Sequence, residues 1–132
     1  MKKVFEKGDL KVHSFEVIET DIAAFNGDVV HSVCSTFALA REIEWSTRLF
    51  VLEMKDAEEE GIGTKLEIEH KGPAFVGERI EIEARVESLE RNELICRYIA
   101  RVGGRVVAEG ITGQKILPKQ KITDLFKRLG SV

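Results

Sequence analysis

Long apolar runs, basic clusters and metal-ligand spacings are all missing from this sequence. No stretch approaches the ~20 apolar residues that a membrane-spanning helix needs. The opening segment, MKKVFEKGDLKV, has a basic start without the apolar core of a signal peptide. The chain is therefore expected to be cytoplasmic, with no membrane partner. Net charge is only −3, which offers no attraction for a phosphate backbone, so no nucleic-acid partner is expected. The two cysteines, Cys34 and Cys96, lie in apolar surroundings without metal-ligand spacing and read as reduced core residues. The three histidines, His13, His31 and His70, are scattered with no HxH or HxxxH pair, so a metal site is not expected. His13 and His31 have no obvious partner and read as structural or exposed. Repeats and low-complexity tracts are absent.

What remains is a chain of 132 residues, 43% hydrophobic and 33% charged, which is enough to bury one core beneath a solvated surface. One domain spanning residues 1–132 is expected. Residues 10–19, LKVHSFEVIE, alternate loosely and suggest a first strand. TDIAAFNGDVVHSVCS then connects onward, with a turn at Asn26-Gly27. From Phe37 to Met54 apolar residues fall on most faces of a helix, which marks it as enclosed. Ser35 or Thr36 can cap it, and the acidic run Glu58-Glu59-Glu60 followed by Gly61 is expected to end it.

Strand patterns fill the rest. TKLEIEH places Leu66, Ile68 and His70 on one face. ERIEIEARVESL turns Ile80, Ile82, Ala84 and Val86 inward, and ELICRYIARV, apolar on both faces, is the more central strand. Turns are expected at Arg91-Asn92 and Gly103-Gly104, before a last strand, RVVAEGITGQKIL. KITDLFKRL closes the chain as a short amphipathic helix with Ile122, Leu125, Phe126 and Leu129 on one stripe. Strand, long helix, then four antiparallel strands describe an α+β fold in which one sheet curls around a central helix, the hot-dog architecture. Its exposed edge strand is an invitation to pair with a second copy.

Thr36, Glu44 and His70 supply a hydroxyl, a carboxylate and an imidazole, the groups used in acyl transfer. Glu44 sits between Ile43 and Trp45 on the apolar helix, where a carboxylate is costly unless paired or used. The plainer alternative is a solvent-facing pair with Arg48 one turn on. His70 ends a strand just before Gly72-Pro73, in a position to shuttle protons or simply to be hydrogen-bonded in the core. Gly61 and Gly63 can be turn residues, or can bare a backbone amide to a substrate carbonyl.

Together these residues resemble the hot-dog thioesterases of the fluoroacetyl-CoA thioesterase type. That family carries a Thr, a Glu eight residues on, a His twenty-six after that and a glycine seven before the His, which fall here on Thr36, Glu44, His70 and Gly63. The resemblance runs from about residue 12 to about residue 117. It implies hydrolysis of an acyl-CoA thioester to free acid and CoA, with CoA as part of the substrate and no metal or bound cofactor. Gly63 would polarise the thioester carbonyl, Glu44 would activate water or attack directly, His70 would shuttle a proton, and Thr36 would hydrogen-bond the reacting centre. Water, Thr36 and Glu44 all remain open as the first nucleophile. The family's gating pair of phenylalanines is incomplete: FNGDVVHSVCS contains only Phe25. A more general enzyme for short or medium acyl-CoAs is therefore expected.

A hot-dog dehydratase or hydratase and a non-catalytic acyl-CoA-binding module are the competing readings. Thr36 and Glu44, eight residues apart on one helix, would be ~12 Å apart along its axis. Either Thr36 precedes the helix on chain that folds back, or Glu44 comes from a second protomer. The second arrangement is expected, in an obligate homodimer with shared sites.

Overall fold

A computed structural model of the protein describes residues 1–25 and 27–130. Asn26, half of the expected turn with Gly27, lies outside them. The elements are β1 (Leu10–Glu16), a 3-10 turn (Glu19–Asp21), β2 (Ile22–Phe25), β3 (Asp28–Cys34), α1 (Thr36–Met54), β4 (Glu59–His70), β5 (Arg79–Glu90), β6 (Glu93–Val102), β7 (Arg105–Pro118) and α2 (Lys119–Arg128). Five of the strands form one antiparallel sheet in the order β1-β5-β6-β7-β4. β2 and β3 form a separate two-stranded ribbon. No helix among the described residues is long and apolar enough to cross a membrane.

The inward faces follow the side-chain period of two. Ile80, Ile82, Ala84 and Val86 are all buried, and β6 occupies the centre of the sheet as its two apolar faces require. Arg91, at φ 57°, and Gly103, at φ 54°, turn the chain between β5, β6 and β7. α1 lies on the inner face with Leu39, Ile43, Phe50, Val51 and Met54 fully buried, each side chain contributing about 1.5–3 kcal/mol. It touches both edge strands, β1 and β4, as well as β5 and β7. The sheet therefore curves around it. Cys34 and Cys96 are free and buried, and burial pushes their thiols up to about 11 and about 12.

Several local expectations are corrected. The first strand stops at Glu16, short of residue 19. The connecting stretch after it is no simple linker, because it pairs with itself as β2 and β3. The helix ends at Met54, before the acidic run: Lys55 is extended (φ −72°, ψ 145°), and the Asp56 amide donates to the Glu59 carboxylate at 2.9 Å. Glu59, Glu60 and Gly61 instead begin β4. Nor is α1 fully enclosed in the protomer, since Phe37 is 83% exposed and Trp45 and Leu52 are also open to solvent. The apolar stripe of α2 is only partly covered, with Ile122 and Leu125 half-buried and Phe126 and Leu129 exposed.

Candidate active site

Thr36 is the first residue of α1, so the chain does not fold back there. Ser35 does the capping: its Oγ accepts the Ala38 amide at 3.0 Å, which leaves the Thr36 hydroxyl free for another partner. That partner is His70, with Thr36 Oγ1 and His70 Nδ1 2.9 Å apart. Two fixed segments hold the pair together. On the Thr36 side, the Ser35 amide donates to the Asp21 carbonyl at 2.8 Å and the Cys34 amide to the Ala74 carbonyl at 2.7 Å. On the His70 side, the amides of Lys71 and Gly72 both donate to the Val107 carbonyl. A Cβ at Gly72 would come 2.9 Å from the Val106 carbonyl oxygen, so only glycine allows the chain this close to β7. His70 pairs with buried Ala108 of β7, which puts it on the helix-facing side of the sheet, as its strand face predicts. It is exposed there because β4 is the edge strand.

Glu44 and Gly63 form a second pair. A Cβ on Gly63 would lie 3.8 Å from Glu44 Oε1, so the carboxylate stands directly over the bare backbone of β4. The alternative pairing of Glu44 with Arg48 is not formed. Arg48 reaches instead to Glu60 on β4, at 2.9 Å, across the close approach at Gly61, where a Cβ would meet Val51 Cγ1 at 2.8 Å. Glu44 and Gly63 open onto a cleft of about 520 Å³ between α1 and the β4–β7 edge. Its inner wall includes Thr47, Thr112 and Gln114. Gln114 Nε2 donates to Thr47 Oγ1 at 3.1 Å, while the buried Thr112 hydroxyl meets no oxygen or nitrogen partner and has only the Cys96 thiol beside it. An unmet buried hydroxyl costs about 1–3 kcal/mol.

The protomer thus separates the four residues into two pairs. Eight residues of regular helix put Glu44 ~12 Å along the axis from Thr36. Seven residues of strand put Gly63 ~23 Å from His70 at ~3.3 Å per residue. Thr36, Glu44, Gly63 and His70 are all exposed, as are the apolar side chains of Phe37, next to Thr36, and Leu66, on β4 between Gly63 and His70.

Sequence patterns did not reveal a polar cluster beside Thr36. His13 Nε2 lies 3.0 Å from Glu42 Oε1. Arg41 donates to Glu42 at 2.8 Å and to buried Asp21 at 3.0 Å. Burial pushes the Glu42 carboxyl up, but the hydrogen bonds from Arg41 and His13 outweigh it and leave the carboxyl below its ordinary value. These contacts tie β1, the 3-10 turn and α1 together, and nothing in their sequence spacing signals them. Thr112 and Gln114 did carry a signal: both are polar at inward positions of β7. Among the described residues, no group of three His, Cys, Asp or Glu side chains could hold a metal ion.

The model of the fluoroacetyl-CoA-specific thioesterase family matches residues 17–120. The chain belongs to this family. It is accordingly a thioester hydrolase, an acyl-CoA thioesterase with the hot-dog fold. A Thermus thermophilus protein of the thioesterase superfamily is 32% identical, with 96% of this chain and 94% of that one covered at a TM-score of 0.90. The fluoroacetyl-CoA thioesterase itself is 18% identical over 94% of this chain and 96% of its own, at a TM-score of 0.82. A hot-dog-like protein from Thermanaerovibrio acidaminovorans is 16% identical over 97% and 96%, at 0.86; these last two likenesses speak to the fold. Among curated protein sequences, none matches the chain.

Proposed function

We propose that this thioesterase cleaves short or medium acyl-CoAs in a site shared by two protomers, with Thr36 and His70 from one and Glu44 and Gly63 from the other. The observation that carries this reading is the division of the site into two exposed pairs too far apart to act on one carbonyl. A group engaged in proton transfer must be within about 3 Å of the reacting atom.

β4 supplies the means of joining them. It is a twelve-residue strand at the sheet edge, and its free hydrogen-bonding groups suit a second copy. Antiparallel pairing of two β4 strands about a two-fold axis near Leu66–Glu67 sets His70 of one protomer roughly opposite Gly63 of the other. The same closure covers Phe37, Trp45 and Leu66 and takes the site out of bulk water, which strengthens its electrostatics.

In such a site the Gly63 amide donates to the thioester carbonyl oxygen and stabilises the charge that develops there. Glu44 takes a proton from water as the water oxygen adds to the carbonyl carbon. Collapse breaks the C–S bond, and His70, positioned by Thr36, delivers a proton to the departing sulfur, giving acid and CoA thiol. Direct attack by Glu44 or Thr36 would pass through an acyl-enzyme, which a burst of CoA release would reveal. No metal or bound cofactor is required, and CoA enters as part of the substrate. A cytoplasmic homodimer fits this chemistry.

The test is CoA release across a panel of acyl-CoAs of increasing chain length, with crotonyl-CoA hydration measured alongside. Hydration without CoA release would reverse the assignment in favour of a hydratase.

A further inference from the structure

The inner wall of the cleft carries polar groups that hydrolysis leaves unused. Along β7 the helix-facing positions include Thr112, Gln114 and Ile116. A sheet face packed on a helix favours apolar side chains at such positions, and here two of the three are polar. Gln114 donates to Thr47 at 3.1 Å, and Thr47 donates to the Glu44 carbonyl at 3.3 Å. That chain engages one Gln114 hydrogen, while its side-chain carbonyl makes no hydrogen bond among the described residues. The Thr112 hydroxyl is buried without an oxygen or nitrogen partner. It lies beside Cys96 on β6, whose thiol is a weak hydrogen-bonding group.

The burial gradient gives the cleft a direction. Thr47, Thr112 and Gln114 are 0%, 2% and 8% exposed, whereas Arg41, Trp45 and Lys65 at its mouth are exposed. The charged CoA portion of a substrate belongs at the mouth. The acyl chain, held by its carbonyl at Gly63, then runs inward to the polar wall. A plain alkyl chain there would keep water from Gln114 and return no hydrogen bond to either Gln114 or Thr112, which is how a polar site rejects an apolar analogue. A carboxylate on the acyl chain is disfavoured, because Glu44 is close by and Arg48 is already paired with Glu60.

Building on the thioesterase reading, we propose that the acyl group this enzyme releases carries a neutral oxygen substituent, a hydroxyl or ketone, beyond its thioester carbonyl, and that Thr112 and Gln114 recognise it. The experiment compares kcat/KM for two matched pairs, butyryl-CoA with 3-hydroxybutyryl-CoA and hexanoyl-CoA with 3-hydroxyhexanoyl-CoA. The hydroxylated member of at least one pair should be favoured about tenfold or more. Thr112→Val should collapse that ratio to within about twofold, and Thr112→Ser, which restores the hydroxyl, should recover it. Release from both members of each pair at similar rates, or a preference for the alkyl chains, would overturn the proposal and leave the thioesterase reading standing. An equal loss on both members in Thr112→Val would assign the wall to the pantetheine amides, also against the proposal. Absence of CoA release from all four would overturn both readings. If Thr112→Val fails to fold, the wild-type ratio decides alone.

Discussion

Mixing two inactive variants gives the most direct test of a shared site. Thr36→Ala removes the hydroxyl beside His70, and Glu44→Ala removes the carboxylate over Gly63. Within one protomer these groups stand ~12 Å apart along α1, and their β4 partners ~23 Å apart, so neither variant can repair its own defect. Equal amounts of the two, dissociated and reassociated at random, give about half mixed dimers by the symmetry of pairing. In each mixed dimer one site collects both defects and the other collects neither. Half of the dimers with one of two sites intact amounts to about a quarter of wild-type activity. The assay is CoA release before and after reassociation, with native mass spectrometry confirming mixed dimers. Activity that stays at the level of the separate variants, with mixed dimers present, would refute the shared site and force a rearrangement within each protomer.

Other consequences can be checked on the same preparation. Glu44→Gln should retain its fold, since the Glu44 side chain is exposed, yet lose about 10²-fold or more in turnover; unchanged turnover would remove Glu44 from the chemistry. Because His70 must carry the proton it delivers to sulfur, the fall in kcat/KM as pH rises should be set by His70, so the pH profile of His70→Ala should lack that alkaline limb. Glu42 is held below its ordinary value of 4.5; a depressed carboxylate contributes stability above its unfolded value that is lost as pH falls through the folded one. Wild type should therefore lose melting temperature below about pH 4.5, and Glu42→Gln should lose less over that range. Gly110→Ala would place a Cβ 1.9 Å from the Glu67 carbonyl oxygen and should cost about 3 kcal/mol or more in denaturant unfolding; a neutral effect would contradict the close approach of β4.

Much of the fold was legible because its rules are local. β5 alternates strictly, and all four of its predicted inward residues are buried. Gly103 and Arg91 mark their turns through positive φ. The β2–β3 ribbon was not legible. Its register shifts twice within four pairs, and Val29 and Val30 are exposed in the protomer, so neither alternation nor burial follows the usual pattern. The end of α1 was misplaced because Lys55-Asp56 stops it through backbone geometry and an Asp56–Glu59 hydrogen bond, without the expected glycine. Gly63 illustrates the limit for the site. A register shift between Gly63 and Lys65 lets Gly63 and Leu66 both face the helix, opposite Gln114 and Thr112, although they are three residues apart. Period-two reading carries Leu66, Ile68 and His70 to one face but loses Gly63 at that irregularity. The Thr36–His70 bond depends on where the edge strand ends beside the helix start, which no spacing along the chain encodes.

An exposed site on an edge strand raises the problem of precision, because β4 has a partner strand on one side only. Its register matters acutely: a slip of one residue would turn both His70 and Gly63 away from the helix. Tyr98 of β6 addresses this from two strands away. Its hydroxyl donates to the Glu67 carbonyl on β4 at 2.8 Å, passing over Gly110 of β7, where a Cβ would lie only 2.8 Å from that hydroxyl. Burial pushes the Tyr98 phenol well up, so it remains a donor throughout the working pH range. The tether sits between the two ends of β4 assigned to the proposed site, three residues from His70 and four from Gly63. It also falls at the proposed two-fold axis. One side-chain hydrogen bond through a glycine window thus fixes the strand where small errors would reach both halves of the proposed shared site, while the outer edge of β4 stays free for the proposed pairing with a second copy.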